Sequence, residues 1–252
     1  MNPPHTQKVL ITGASRGIGA ACARAFAEEG AQVALHYRNA KEKATALLAD
    51  LPGEGHQLYS ADFSEAGAAG NLGRQVLQDF GTLDVLVNNA GIYTEHPIDS
   101  CSDEDWMSQW QQILQVNLLA AAELTQVISQ SMIEQRSGRI IHIGSRGAFR
   151  GEPESPAYGA SKAGLHALSQ SLSKKLGGYG IGVYAIAPGF VETDMGLQVL
   201  ETERGEALKA ESPFRRVAKP EEVAHTAVFL TKEQSLFLSG GIIDLNGASY
   251  LR

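Results

Sequence analysis

"VLITGASRGIGAACARAFAEEG", residues 9–30, sets three glycines and a Ser-Arg pair between an apolar run and an alanine-rich run. Residues 9–12 are short and apolar, as a strand buried on both faces is. After Gly17 the alanines, Cys22 and Phe26 follow a helical spacing. A plain strand-to-helix turn needs one glycine at most, so Gly13, Gly17 and Gly19 ask for another reason. Lacking a Cβ, Gly13 can turn sharply. Gly17 and Gly19 let a pyrophosphate and the neighbouring strand approach the backbone, and the N–H groups that open the helix attract the anion. The stretch reads as strand, phosphate-binding turn and helix.

The alternation continues along the chain. Apolar, β-branched runs recur at 8–12, 32–37, 56–62, 83–89, 139–145, 182–188 and 241–246, and helical spacing fills 17–29, 40–51, 65–80, 103–135, 157–177 and 220–231. Ser64 before Glu65, and Ser102 before Asp103 and Glu104, read as helix caps. Strands separated by helices of this length pair in parallel through right-handed crossovers. The expectation is a single α/β domain over 1–252, a doubly wound parallel seven-stranded sheet with helices on both faces. In such a sheet ligands sit beyond the carboxyl ends of the strands.

Composition narrows the function classes. The 252 residues carry a formal charge of -7, against a general nucleic-acid or anionic-membrane binder. Two cysteines, Cys22 and Cys101, form no framework, which fits a reducing cytoplasm; Cys22 reads as a small core residue. No run approaches a membrane span, the N-terminus has no signal-peptide core, and the seven histidines lack metal-ligand spacing, so no metal is expected. His36 and His142 read as packing or surface residues.

Tyr158 and Lys162 lie four apart in a helical stretch, so they share a face. A phenol is a poor acid-base at neutral pH, and a nearby ammonium favours the phenolate. The pair is therefore a candidate proton donor to an alkoxide developing on a carbonyl. Ser145, at a strand end thirteen residues before Tyr158, is a candidate donor to the same oxygen.

Thr12-Gly13-x-x-x-Gly17-x-Gly19, "NNAG" at 88–91, Asn117 in "QVNLL", Ser145 in "IHIGS", "YGASK" at 158–162 and "PGFVETDM" from Pro188 occur in one order. Together they resemble the short-chain dehydrogenases/reductases over nearly the whole chain. The resemblance implies a Rossmann-like fold and Asn117, Ser145, Tyr158 and Lys162 as the catalytic set, with Asn117 holding a proton-relay water and Lys162 also holding the nicotinamide ribose. It implies cofactor contacts from Gly13, Ser15, Arg16, Gly17, Ile18 and Gly19 in the turn, and from Tyr37, Arg38 and Asn39 after the second strand. Asp62 and Phe63 would meet the adenine, and Asn89, Ala90 and Gly91 its ribose. Pro188, Gly189, Val191 and Thr193 would run by the nicotinamide and diphosphate. The family's ribose-binding aspartate aligns with Tyr37, and Arg16 and Arg38 stand ready for a 2′-phosphate, so NADP(H) is expected rather than NAD.

Residues 192–216 read as a substrate lid. "RSGRIIHIGS" resembles the β-ketoacyl-acyl carrier protein reductases of fatty acid biosynthesis. That implies reduction of a 3-oxoacyl thioester. Arg136 matches an arginine that docks the acidic carrier, whereas Tyr179 stands where a second is expected, so carrier docking stays open. A polyol or secondary-alcohol dehydrogenase and a non-catalytic NADP-binding regulator also stay open. The family commonly forms homotetramers through helices before and after Asn117 and through its C-terminal strand region. Tyr184 replaces the family's usual asparagine, and four extra residues around "WMSQ" precede Trp110. Arg146 and Arg150 read as either solvated or attracting an acidic substrate.

Overall fold

A computed structural model describes residues 6–193 and 200–252. Seven strands form one parallel sheet: β1 (Lys8–Ile11), β2 (Gln32–Tyr37), β3 (Gln57–Ser60), β4 (Val85–Asn88), β5 (Gly138–Ile143), β6 (Ile181–Pro188) and β7 (Ile242–Leu245). Their order in the sheet is β3-β2-β1-β4-β5-β6-β7. The chain winds outward from β1 to β3, then returns to β4 and winds the other way. The crevice where the direction reverses lies between the ends of β1 and β4, which pair through Val9–Val85, Leu10–Leu86 and Ile11–Val87.

Successive strand residues face opposite sides, and both sides are apolar. Val9, Ile11, Val33, Leu35, Val87 and Ile141 pack with Phe26 of α1 (Gly17–Glu28) and Val223 and Leu230 of a late helix, Pro220–Thr231. Leu10, Leu86, Ile140 and Val183 pack on the other side. They meet Leu72 and Val76 of α3 (Ala68–Phe80), Leu124, Ile128 and Met132 of α5 (Ala120–Gln135), and Leu176 of α7 (Pro156–Leu176). Cys22 lies in the first of these cores, fully buried. Tyr184 is fully buried too. Its hydroxyl donates to the Ser235 carbonyl, and Gly182 leaves it room: a Cβ there would lie 2.3 Å from that oxygen.

The remaining α-helices among the described residues are α2 (Lys41–Asp50), α4 (Asp103–Leu114), the one-turn α6 (Gly147–Arg150), α8 (Glu203–Ala210) and α9, the Pro220–Thr231 helix. Between α4 and α5 the helix widens into a π-turn at Gln115–Leu119. Ser102 caps α4, its hydroxyl accepting from the Asp105 N–H. Ser64 caps nothing. Helix α3 starts three residues later than the sequence suggests, because the Asp62 carboxylate accepts both the Ser64 N–H and its hydroxyl and folds residues 62–64 into a turn.

Candidate active site

The glycine turn is built for close approach. Gly13 and Gly17 take φ of 64° and 54°, a left-handed backbone that disfavours side chains. At Gly19 a Cβ would lie 2.3 Å from the Gly13 carbonyl oxygen, so only glycine lets the helix start against the turn. Helix α1 has no side-chain cap and no acidic residue in its first turn, whereas α4 and α8 are capped by Ser102 and Thr202. An uncapped, acid-free N-terminus facing the crevice suits a diphosphate. Thr193 closes the turn from the far side, since a Gly17 Cβ would meet its Cγ2 at 3.1 Å.

Three polar side chains hold the turn, and sequence reasoning gave none of them this role. The Thr12 hydroxyl accepts the N–H groups of Asn89 and Ala90, both at 2.9 Å, tying the end of β1 to the end of β4. The Asn89 amide donates to the Thr12 and Gly13 carbonyls in return. His36 is buried rather than at the surface. Its Nδ1 accepts the Gly13 N–H at 3.2 Å, which leaves the proton on Nε2, and Nε2–H donates to the Ala61 carbonyl at 3.0 Å. Its ring stacks on Phe63 with centroids 4.3 Å apart. Burial pushes His36 down to about 4, so the imidazole stays neutral and keeps the acceptor that shapes the turn. The one legible signal was a polar residue at an inward position of the apolar run "QVALHY".

At the outer end of the crevice Tyr37 is buried, while Arg16, Arg38 and Asn39 are exposed. Among the described residues neither guanidinium enters an ion pair or a side-chain hydrogen bond; Arg38 sits close enough to help hold the Asp62 carboxyl below its usual range, behind the larger effect of Ser64. Phe63 is buried beneath His36 and Asp62 is partly exposed beside it.

The proposed catalytic residues meet at the ends of β4 and β5. Asn117 lies in the π-turn and is buried. Its Oδ1 accepts the Ile92 N–H at 2.8 Å, and its Nδ2 donates to the Ile92 carbonyl and to the Ser161 hydroxyl. A Cβ on Gly91 would lie 3.4 Å from both Asn117 Oδ1 and Lys162 Nζ, so this glycine is the floor between them. Ser145 follows β5; its Oγ accepts the Gly147 N–H at 3.0 Å and lies near enough to the Tyr158 hydroxyl to lower the phenol's pKa. Lys162 Nζ lies 5.7 Å from the Tyr158 ring centroid, one helical turn away, as the spacing requires.

The electrostatics depart from expectation. Burial pushes the Tyr158 phenol up to about 12, against a smaller lowering by Ser145. Lys162 donates its ammonium to the Ile143 carbonyl at 2.8 Å, and burial brings the lysine itself down to about 8. At neutral pH the tyrosine is therefore protonated.

Arg146 is buried and Arg150 is exposed, and both are already engaged in ion pairs. Arg146 pairs with Glu211 at 2.5 Å; Arg150 pairs with Glu211 at 3.3 Å and Glu152 at 3.6 Å. Glu211 directly follows α8, so these pairs pin one end of that helix to the loop after Ser145. Arg204, near its other end, pairs with Glu95 at 3.3 Å. Of the expected lid, residues 192–193 and 200–216 are described; Met195 and Leu197 lie outside the described residues.

After β6, Phe190 and Glu192 bond to Ala218 through their backbone, and among the described residues the Val191 N–H takes no backbone partner. Gly189 lets Asn246 approach: a Cβ there would lie 3.0 Å from the Asn246 Cβ. Arg136 donates to the Gly178 carbonyl at 3.1 Å and lies over the Tyr179 ring. Among the described residues no three His, Cys, Asp or Glu side chains gather to hold a metal, and no helix is long and apolar enough to cross a membrane.

Residues 13–247 match the short-chain dehydrogenase model described as enoyl-(acyl carrier protein) reductase. The chain is 34% identical over 248 residues to 3-oxoacyl-(acyl-carrier-protein) reductase FabG of Staphylococcus aureus, covering 98% of this chain and 99% of the relative. It is 36% identical over 240 residues to the FabG of Chlamydia muridarum, covering 94% and 95%. Among solved structures it resembles the crystal structure of gox2181, with a TM-score of 0.87, 29% identity, and coverage of 97% of this chain and 95% of that one.

Proposed function

Since the chain belongs to the short-chain dehydrogenase/reductase family, oxidoreductases that bind a nicotinamide cofactor, we propose that it reduces the ketone of a 3-oxoacyl thioester to a secondary alcohol with NADPH. The observation that carries this reading is the meeting of Ser145, Tyr158, Lys162 and Asn117 at the strand ends, beside a glycine turn shaped for a diphosphate.

In this reading the glycine turn and the open N-terminus of α1 hold the diphosphate, and Arg16 and Arg38 hold a 2′-phosphate, which Tyr37 does not repel as an aspartate would. Asp62, Phe63 and Asn89 to Gly91 line the adenosine; Pro188, Gly189, Val191 and Thr193 line the other half. The bound dihydronicotinamide supplies the hydride. Ser145 and Tyr158 donate hydrogen bonds to the carbonyl oxygen as negative charge builds there, and Tyr158 passes it a proton. Lys162 orients the ribose, and Asn117 seats the water that returns a proton. Residues 192–216, with α8, form the lid over the carbonyl.

Two companion readings belong to the same proposal. The relatives' names carry the acyl carrier protein. Here the Arg136 guanidinium already lies over Tyr179, so we expect a free thioester to serve nearly as well as a carrier-bound one. We place the enzyme in the cytoplasm as a homotetramer. Exposed Met107 and Leu119 on the α4–α5 face, and exposed Phe237 and Leu251 near the edge strand β7, supply apolar contact surface. Light scattering gives the mass.

The test is NADPH oxidation with acetoacetyl thioesters, a ketone panel, and sugars and alcohols run in reverse. Thioester turnover is expected, and Tyr158→Phe should lower kcat by about 10²-fold or more while sparing NADPH affinity. Turnover of the tyrosine variant near the wild-type rate refutes the proton donor. Tight NADPH binding without turnover of any carbonyl refutes the enzyme reading in favour of a binding regulator.

A further inference from the structure

The proton donor stands two residues after an unusual helix start. Ser155 is the N-cap residue of α7, yet its side chain caps nothing, and its hydroxyl is buried without a partner among the described residues. Pro156 has no N–H. The Tyr158 and Gly159 N–H groups turn back to the Ser155 carbonyl at 3.0 and 3.3 Å. The Ala157 N–H is left to find an acceptor outside the helix, since an unpaired buried donor is costly.

That acceptor is His96. The residue is 1% exposed, and its Nε2 accepts the Ala157 N–H at 3.3 Å. A nitrogen that accepts from an amide carries no proton, so Nδ1 is the protonated one. It donates to the Thr94 carbonyl at 2.8 Å. The His96 N–H in turn donates to the Glu154 carbonyl at 2.8 Å, so the loop and the helix start are bonded twice. Trp106 of α4 stands edge-on against the imidazole, with centroids 5.6 Å apart, and Trp110 backs Trp106 at 6.0 Å. The four extra residues around "WMSQ" thus lie in the helix that holds the histidine in place. Three residues upstream of His96, Tyr93 packs edge-on against the Tyr158 ring at 5.2 Å. One loop therefore touches the donor twice, at its ring and at the peptide before it.

We propose that His96 is a positioning residue for proton transfer: it is the side-chain cap of α7, supplied from the loop after β4, and it fixes the first turn so that the Tyr158 hydroxyl meets Ser145. A tilt of that turn would move the Tyr158 hydroxyl relative to Ser145. The inference rests on Tyr158 being the donor, and the experiment separates the two claims.

His96→Phe keeps an aromatic ring against Trp106 and removes the acceptor. His96→Gln keeps an acceptor at the reach of Nε2. His96→Asn keeps a donor for Thr94 but cannot reach Ala157, and it serves as the loss variant if the phenylalanine does not fold. Misplacing a catalytic group by about 1 Å can lower a rate 10²-fold, so kcat per folded enzyme should fall about tenfold or more in the loss variants. KM and NADPH affinity should stay within about twofold, because the interaction matters in the transition state rather than in binding. His96→Gln should recover most of the rate. Hydrogen exchange of the segment 155–162 should quicken in the loss variants and not in His96→Gln, a readout that needs no substrate.

Unchanged exchange overturns the cap. Faster exchange with a wild-type kcat overturns the positioning role. So does an equal loss of rate in His96→Gln. Tyr158→Phe is the control: if it retains turnover, the donor assignment falls and takes the inference with it; if it is inactive while His96→Phe is not, the inference alone falls.

Discussion

Three histidines are buried in states that acid should punish. His36, His142 and His166 are 2%, 0% and 3% exposed, and burial lowers them to about 4, 3 and 4. His142 has a bond on each ring nitrogen: Nδ1–H to the Ser169 hydroxyl, whose own proton goes to the Leu165 carbonyl, and Nε2 facing the Thr125 hydroxyl. His166 has none among the described residues. A histidine whose folded pKa is depressed contributes stability above its unfolded value, near 6.5, and loses it as pH falls toward the folded value. Between about pH 7.5 and 5.5 the unfolded chain takes up close to one proton per histidine while the native chain takes up almost none. At 1.36 kcal/mol per proton per pH unit, that integrates to about 1.3 kcal/mol each and roughly 4 kcal/mol for the three. Urea denaturation at several pH values across this window reads it directly, since carboxylates titrate mostly below it. His166→Leu isolates one member. It should remove about a third of the pH dependence and raise stability at pH 7.5 by about 1–3 kcal/mol, because two unpaired ring nitrogens leave the core. A denaturation free energy flat across the window refutes the reasoning. A leucine variant with the full slope shows that His166 is not neutral inside the fold.

The glycine turn and the cofactor's phosphate give two further tests. Gly19→Ala puts a methyl against rigid backbone at 2.3 Å and should lower stability by about 1–3 kcal/mol and abolish measurable NADPH binding by fluorescence titration; an alanine variant that binds normally means the helix start can shift. Arg38→Ala should weaken NADPH by about 10- to 100-fold, as lost charge-assisted hydrogen bonds do, and leave NADH unchanged; an unchanged ratio of the two affinities means that the 2′-phosphate is read elsewhere.

The sheet was legible because its signals are local. Each strand core sits inside the run that sequence marks, and the edges move by a residue or two, as with β3 at Gln57–Ser60 inside 56–62. What escaped depends on partners distant in sequence. The stretch 103–135 reads as one helix, and nothing in "QVNLL" announces the π-turn; Asn117 there bonds to Ile92 and Ser161, on other elements. Arg146 and Arg150 carry no mark of Glu211, which follows more than sixty residues later. His36 looks like filler in a strand until Gly13 is placed against its ring. Family motifs mark Tyr158, Ser145 and Thr12, but they do not say that Thr12 ties β1 to the end of β4, and none of them includes His96.

The same contrast applies to the chemistry of the tyrosine. Spacing alone says that Lys162 lies one turn from Tyr158, and from that a lowered phenol pKa follows if the ammonium faces the hydroxyl. The ammonium donates to the Ile143 carbonyl at the end of β5, and the shared burial that brings the lysine down drives the phenol up. Two groups desolvated together move in opposite directions unless they bond to each other. A donor must begin protonated, so this arrangement favours delivery of a proton to an oxygen that is already becoming an anion. It disfavours removal of a proton from an alcohol at neutral pH. The reductive direction proposed with NADPH is thus also the one that the resting protonation of Tyr158 supports, and the two arguments share no residue.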